Sequence, residues 1–328
     1  MQNEVSEFRN FSEIYSYVKN SIFDDAKKMQ QQYPKTEKYR EYKRVFDKLQ
    51  SAISENTIKM WFEWTQCEDP TYNKYYLLLL KDLYENADDY QLTYNLLSDA
   101  VSKEIYTRIL LWRLTLRSSN LVESYILSNE YKQYLDHIAR LNSDEIIIDG
   151  GGYIGDSTLD FIMELKGYKK IYLFEPDKIN LEKAKISLKD YENITFINAG
   201  LGKKNGQASF DNKGLSSSAF NEDSFDGDVI SIFSLDEKIK DKITFIKMDI
   251  EGMEMEALEG CKEHIQSDRP VLAICLYHKV EDIYKIPLYI KQLVTNYKFY
   301  IRHYTAHHGE TVLYAVPQER FLQENISL

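Results

Sequence analysis

The first 140 residues carry apolar side chains at steps of three and four, with polar residues between them and almost no glycine. This spacing puts the apolar side chains on one face of an α-helix. It predicts helices over residues 13–29, 42–53, 75–84, 90–101 and 105–116. We therefore predict an all-α domain over residues 1–140, through which subunits could pair as a homo-oligomer.

After residue 140, short apolar runs rich in β-branched residues alternate with helix-length segments. The runs predict strands over residues 145–149, 170–174, 194–198, 244–248, 271–276, 299–303 and 312–316. Intervening segments predict helices, for example over residues 158–166, 179–188, 254–259 and 280–295. This alternation is typical of a parallel sheet covered on both faces, and the loop-linked last two runs predict an antiparallel hairpin. Residues 141–328 are thus predicted to form an α/β domain with a seven-stranded, mostly parallel sheet.

The junction between the first predicted strand and the first predicted helix reads DGGGYIGDST over residues 149–158. Glycines let the backbone approach a ligand closely, and the free N–H groups of a helix N-terminus face an anionic group. A glycine turn that binds nothing is the simpler alternative. We predict a nucleotide-cofactor site with the candidate residues Asp149, Gly150, Gly151, Tyr153, Gly155 and Ser157.

Two cofactors fit this turn. The pattern Gly150-x-Gly152-x-x-Gly155, with Glu175 about 20 residues further on, satisfies the dinucleotide fingerprint of NAD sites. Asp149, however, would repel a pyrophosphate and attract the cationic amino acid end of S-adenosylmethionine. We therefore favour S-adenosylmethionine and keep an NAD-dependent sugar oxidoreductase as the alternative.

The net charge of the chain limits the classes of binding partner that we expect. The sequence has 41 Lys plus Arg against 52 Asp plus Glu, a formal net charge of −11, and most of the excess lies after residue 140. Nucleic acid and anionic membranes are therefore not expected as partners. The three cysteines lack metal-site spacing, and no apolar run predicts a secretion signal or a transmembrane segment. A cytoplasmic location is expected.

The run IKMDIEGME at residues 246–254, followed by ALEG at 257–260, resembles the D-x-E-G-x-E segment of the FkbM family of methyltransferases. The glycine turn, FEPD at 174–177 and YHK at 277–279 also resemble this family, especially its glycan-associated members. Many members carry Asn where this chain has Tyr153. The resemblance, over about residues 144–317, implies a class I, Rossmann-like methyltransferase that methylates a hydroxyl of a sugar or glycan precursor.

The cofactor contacts follow from where the predicted strands end. Ligands of open parallel sheets lie at the carboxyl ends of the strands. Glu175 is predicted to accept the ribose hydroxyls, and Asp149 with the turn to hold the methionine end. Asn198 is predicted near the adenine edge, and Asp249 at the next strand end. A helical domain could then shape acceptor entry.

Methylation of a hydroxyl requires removal of its proton. His278 is predicted as the base because an unperturbed imidazole titrates near neutral pH. Asp249 is predicted as its partner or as a residue that positions the acceptor, with Glu251 in the same acidic group. A divalent ion, Mg²⁺ or Mn²⁺, bound by Asp249, Glu251 and His278 is a further alternative.

Two other features have open interpretations. His303, His307 and His308 could line the acceptor mouth or lie at the surface. The segment 199–233, which contains GLSSS at 214–218, is predicted to form hairpins and a loop that could close over the acceptor, or a simple connector. A non-catalytic cofactor-binding assembly protein is the remaining alternative for the whole chain.

Overall fold

The structure is a computed structural model that describes residues 10–20, 78, 79, 81–115, 118–128, 130–210 and 228–321. The chain divides into two compact units. One comprises residues up to 127 together with 305–308, and the other comprises 128–304 together with the chain from 309 onward. The predicted division at residue 140 stays a prediction. The predicted helix over 42–53 lies outside the described residues, as do parts of the helices predicted over 13–29 and 75–84.

Helices make up the described part of the first unit, as the apolar spacing predicts. Their bounds are α1 Phe11–Asn20, α2 Ala87–Leu96, α3 Ala100–Thr115 and α4 Ser119–Ser128. The helix predicted over 90–101 is divided, because Leu97 is extended and the Asp99 side chain accepts a hydrogen bond from Ser102 N. Aromatic and aliphatic side chains form the core. Phe11 stacks on Tyr94 with ring centroids 4.3 Å apart.

Strands and helices alternate in the second unit. Within its described residues the strands are β1 Ile146–Gly150, β2 Lys170–Phe174, β3 Ile194–Ile197, β4 Gly200–Leu201, β5 Gly206–Phe210, β6 Asp228–Phe233, β7 Phe245–Met248, β8 Val271–Cys275, β9 Tyr297–His303 and β10 Thr311–Pro317. The helices are α5 Asp156–Leu165, α6 Lys178–Ser187, α7 Leu235–Lys238, α8 Glu254–Glu259, α9 Lys262–Ser267 and α10 Asp282–Leu293.

Seven of these strands form one sheet in the order β3-β2-β1-β7-β8-β10-β9. All seven predicted strands are present. β10 runs antiparallel to the other six strands and lies between β8 and β9. The class I methyltransferase layout and the terminal hairpin are therefore confirmed. Every residue of β1, β7 and β8 is buried, which explains why these strands read as continuous apolar runs.

A smaller sheet in the order β4-β6-β5 lies in the segment predicted to contain hairpins. β5 and β6 pair antiparallel, from Gly206 opposite Ile232 to Phe210 opposite Asp228. The hairpin prediction is confirmed for these strands. The GLSSS run at 214–218, with the predicted closing loop, lies outside the described residues.

A substitution of Gly151 tests how closely the glycine turn packs against the neighbouring backbone. Its φ is +73°, and a Cβ there would lie 1.9 Å from the Asp249 carbonyl oxygen. We expect Gly151→Ala to lower the free energy of unfolding by about 2 kcal/mol or more, measured by chemical or thermal denaturation. Gly206→Ala is the matched control, because no atom lies within 4 Å of its added Cβ. Equal stability of the two variants would contradict the tight packing of the turn.

Candidate functional site

The site lies where the strand order reverses, between β1 and β7. Helical crossovers leave the sheet in opposite directions at this point, so a crevice opens at the carboxyl ends of the strands. A cavity of about 620 Å³ occupies it. Its wall is formed by the glycine turn, the ends of β2 and β7, and residues that precede β1 and β10.

The glycine turn folds back on β2. Gly151 N and Gly152 N both donate to the Phe174 carbonyl oxygen at 3.0 Å. Gly155, with φ +86°, is the N-cap of α5. Tyr153 has φ +44°, is about half exposed and lines the cavity. Of the cofactor residues predicted in the glycine turn, Gly151, Tyr153 and Ser157 form part of the wall. Gly150 ends β1 just before the turn.

Glu175 follows β2 and is 6% exposed. Its Oε2 accepts a hydrogen bond from Tyr153 N at 2.8 Å, and its Oε1 accepts one from Asp177 N at 2.9 Å. Burial raises the pKa of this carboxyl group, although the two backbone donors oppose the rise. Each carboxylate oxygen can accept a second hydrogen bond. The cavity wall therefore presents two acceptor atoms fixed by backbone, an arrangement that suits a vicinal diol.

Asn198 lies beside this turn and not in the cavity wall. Its Nδ2 donates to the carbonyl oxygens of Glu175 and Pro176 at 3.0 and 2.8 Å. The side chain thus holds the end of β2, while the following residues Ala199 and Gly200 line the cavity. Contact between Asn198 and an adenine stays a prediction.

Asp149 does not present a free negative charge. It is fully buried, and its Oδ1 lies 3.0 Å from Nζ of Lys247, which is also buried. Its Oδ2 accepts hydrogen bonds from the hydroxyls of Ser157 and Thr158 at 2.7 and 2.6 Å. The sequence-based premise of an uncompensated carboxylate is therefore wrong, because Lys247 neutralises it. Direct contact of Asp149 with a methionine group stays a prediction.

Asp249 follows β7 and lines the cavity. Its Oδ2 accepts from the Tyr134 hydroxyl and its Oδ1 from the Tyr277 hydroxyl, both at 2.9 Å. Burial opposes ionisation of this group, but Lys247 and His278 outweigh it and lower its pKa. Asp249 is therefore an ionised carboxylate whose two oxygens already accept hydrogen bonds from phenol hydroxyls.

His278 differs from its prediction in protonation state. Its Nδ1 lies 2.9 Å from Oε1 of the buried Glu254, and its Nε2 lies 3.4 Å from Asp249 and 3.7 Å from Glu251. Burial opposes the charge, but these carboxylates raise the His278 pKa to about 9. The expectation of an unperturbed imidazole is therefore wrong. At neutral pH this side chain is an imidazolium, which has no lone pair to accept a proton.

The acidic turn after β7 also bears on the metal alternative. Glu251 has φ +56°, has an exposed side chain and lies at the cavity wall. Over the part of the chain that the structure describes, no group of three His, Cys, Asp or Glu side chains is arranged to hold a metal ion. A Mg²⁺ or Mn²⁺ site at Asp249, Glu251 and His278 is not supported, since the charged imidazole pairs with these acids instead.

The residues of the cavity wall that sequence reasoning missed include Lys247, Gln133, Tyr134 and Glu310. Lys247 had a signal, because a lysine within the buried run FIKM requires a buried partner. Tyr134 and Glu310 lie far along the chain from β7, and no local pattern brings them to it.

The other candidate histidines lie in different settings. His303 is fully buried at the end of β9, where its backbone N donates to Ser128 Oγ and its Nδ1 lies 2.9 Å from Thr311 Oγ1. The surface interpretation is therefore wrong for His303. His308 stacks on Trp112 within the first unit, with ring centroids 5.8 Å apart. Within the part of the chain that the structure describes, none of the helices has both the length and the apolar composition of a membrane span.

Comparisons with known proteins agree with the methyltransferase fold. The family model of the methyltransferase FkbM domain matches residues 149–301. A solved structure of methyltransferase FkbM from Methylobacillus flagellatus KT is 28% identical, with a TM-score of 0.60, and the match covers 71% of this chain and 60% of that one. This chain thus spans less than two thirds of that relative. No curated protein matches it significantly.

Weaker likenesses also occur among solved structures. An rRNA methylase from Streptococcus thermophilus is 18% identical, with coverage of 54% of this chain and 89% of that one and a TM-score of 0.36. Aeropyrum pernix fibrillarin with bound S-adenosyl-L-methionine is 11% identical, with coverage of 60% and 74% and a TM-score of 0.37. Scores in this range support no inference about function.

The charge on His278 can be tested by titration. We expect NMR of the ring to give a pKa near 9, and Glu254→Gln to lower it, because that carboxylate is the closest partner. The folded pKa lies above the unfolded value of about 6.5. The added stability, at most about 3 kcal/mol, is therefore complete below pH 6.5 and lost as the pH rises through 9. A ring that titrates near 6.5 in the folded protein would contradict the imidazolium assignment.

Proposed function

We propose that the protein transfers a methyl group from S-adenosylmethionine to a hydroxyl of a sugar or glycan precursor, because residues 149–301 match the methyltransferase FkbM domain. One observation supports a nucleoside as the donor. Glu175 is buried, fixed through two backbone N–H groups, and exposes its remaining acceptor positions to a cavity floored by the glycine turn. That arrangement suits the ribose diol of a nucleoside.

The residues present fit the donor at more than one point. Gly151 lines the cavity without a side chain, so a ligand can approach the backbone of the turn closely. The Ser157 hydroxyl and the first residues of α5 line the adjoining wall. When bound, S-adenosylmethionine supplies an activated methyl group on a sulfonium. The role of the chain is to orient the two reactants and to accept the hydroxyl proton.

An NAD-dependent oxidoreductase is the alternative that shares the glycine pattern. The Asp149 charge no longer argues against a pyrophosphate, because Lys247 compensates it. Preference for S-adenosylmethionine therefore depends on the methyltransferase family match. Thermal shift distinguishes the two, since only a ligand of the folded state raises the melting temperature.

The acceptor end of the cavity supports a polyhydroxylated substrate. Tyr134, Tyr277, Asp249 and Glu310 place phenol and carboxylate groups on one wall. These groups donate to and accept from hydroxyls, and the aromatic rings offer flat apolar faces that suit a sugar ring. The carboxylates also disfavour phosphate-rich acceptors, so nucleic acid is not the proposed substrate. A role of the helical domain in acceptor recognition or subunit pairing, and a cytoplasmic location, remain part of the proposal.

Transfer of label tests the function directly. The protein is incubated with donor labelled in the methyl group and with a panel of neutral sugars, nucleotide sugars and oligosaccharides. We expect label in a hydroxyl-bearing product. Donor binding without transfer to any acceptor would favour a non-catalytic assembly protein and contradict the proposal.

A substitution of Glu175 tests its role in donor binding. We expect Glu175→Gln to weaken the binding of S-adenosylhomocysteine by about 10- to 100-fold, since one accepting oxygen becomes a donor. Calorimetry measures the dissociation constant. Glu182→Gln, at an exposed position on α6 whose partner is Lys185, controls for loss of a carboxylate. Unchanged affinity in folded Glu175→Gln would count against the ribose site.

A further inference from the structure

Glu310 is a cavity carboxylate outside the segment that the family model matches. It immediately precedes β10 and has φ +59°. Its carbonyl oxygen accepts a hydrogen bond from Tyr304 N at 3.0 Å, which fixes the backbone. Such a positive φ is uncommon for a residue other than glycine, and it sets the direction in which the side chain leaves the loop.

Two neighbours lie close to the Glu310 carboxylate. Gln133 Nε2 donates to Oε2 at 2.5 Å, and the Tyr277 hydroxyl lies 3.4 Å from Oε1. The same Tyr277 hydroxyl is closer to Asp249, at 2.9 Å. A hydroxyl has a single proton to donate, so the shorter contact with Asp249 takes it. Oε1 of Glu310 is thereby left with acceptor capacity at the cavity wall.

The other candidate bases are less suited to accept a proton. His278 is an imidazolium at neutral pH, because its carboxylate partners raise its pKa to about 9. Asp249 has a lowered pKa, and both of its oxygens accept from phenols. The Glu310 pKa is raised, chiefly by burial and further by Asp249, while Gln133, His278 and Tyr277 oppose the rise. A carboxylate with a raised pKa is the stronger base.

We propose that Glu310 is the general base of the methyl transfer, with Gln133 as the residue that positions it. This inference rests on the proposed function. The hydroxyl oxygen of the acceptor forms the new O–C bond as the C–S bond of the donor breaks, and the electron pair of that bond stays on sulfur. The hydroxyl proton moves to Glu310 Oε1 and is later released to water.

The test uses the full chain and the variant Glu310→Gln. This change keeps the shape of the side chain and replaces the basic carboxylate with a neutral amide. We expect kcat to fall by about 100-fold or more, with the dissociation constant of S-adenosylhomocysteine within twofold of wild type. We also expect the wild-type rate to rise with pH as Glu310 ionises, and this limb to disappear in the variant. Glu310→Asp should restore part of the rate and the limb.

A second readout needs no turnover. Infrared difference spectra of wild type minus Glu310→Gln, followed over pH, report protonation of this one carboxyl group. We expect it to titrate above the ordinary glutamate value of about 4.3. Glu182→Gln is the control for loss of an exposed carboxylate, and circular dichroism verifies folding. If Glu310→Gln does not fold, Glu310→Asp is compared with wild type in both measurements.

The outcomes separate the two proposals. If the wild-type protein turns over and Glu310→Gln lowers kcat by less than about threefold, the assignment of Glu310 is overturned and the methyl-transfer function stays intact. An ordinary pKa for the Glu310 carboxyl group would do the same. Absence of transfer to every hydroxyl acceptor by the wild-type protein would overturn both.

Discussion

Lys247 is the residue on which the geometry of the site depends. Its ammonium group is buried, lies 3.0 Å from Asp149 Oδ1 on the neighbouring strand, and donates to the Gly151 carbonyl oxygen at 2.7 Å. Removing two charges from water costs several kcal/mol per ion, and their attraction offsets this cost only where the remaining polar atoms also find partners. The hydroxyls of Ser157 and Thr158 complete the set at the start of α5. One cation thus connects β7, β1, the glycine turn and the following helix.

The same charge orders the acceptor side of the cavity. Lys247 helps to keep Asp249 ionised, Asp249 helps to keep His278 protonated, and His278 is held from its other side by Glu254. These alternating charges compensate one another. Glu310 lies at the edge of this series, where burial raises its pKa. The site therefore separates two carboxylates by environment, one suited to positioning and one suited to proton transfer.

Much of the fold could be predicted from local patterns, since strands buried on both faces produce apolar runs that are visible in one sequence. The glycine turn and Glu175 were also predictable, because both belong to one strand–turn–helix unit and the end of the next strand. The protonation of His278 was not. It depends on Glu254, Asp249 and Glu251, whose distances to the ring are set by the sheet.

Tyr134 and Glu310 were missed for a related reason: they reach the cavity from segments before β1 and before β10. Nothing in their local sequence distinguishes them from surface residues. The identity of Lys247 was visible as a lysine within an apolar strand, but its partner was not. Sequence alone therefore does not reveal that Lys247 compensates the charge of Asp149. Strand adjacency, which places β1 beside β7, supplies the missing information.

The most direct test of this account is the dissociation constant of S-adenosylhomocysteine for Lys247→Met, measured by calorimetry beside the double variant Asp149→Asn with Lys247→Met. The single change leaves a buried carboxylate without its cation, so we expect binding at least about 10-fold weaker than in wild type. The double variant should recover part of the loss, because no unpaired charge remains. Wild-type affinity in folded Lys247→Met would show that the buried ion pair does not shape the turn.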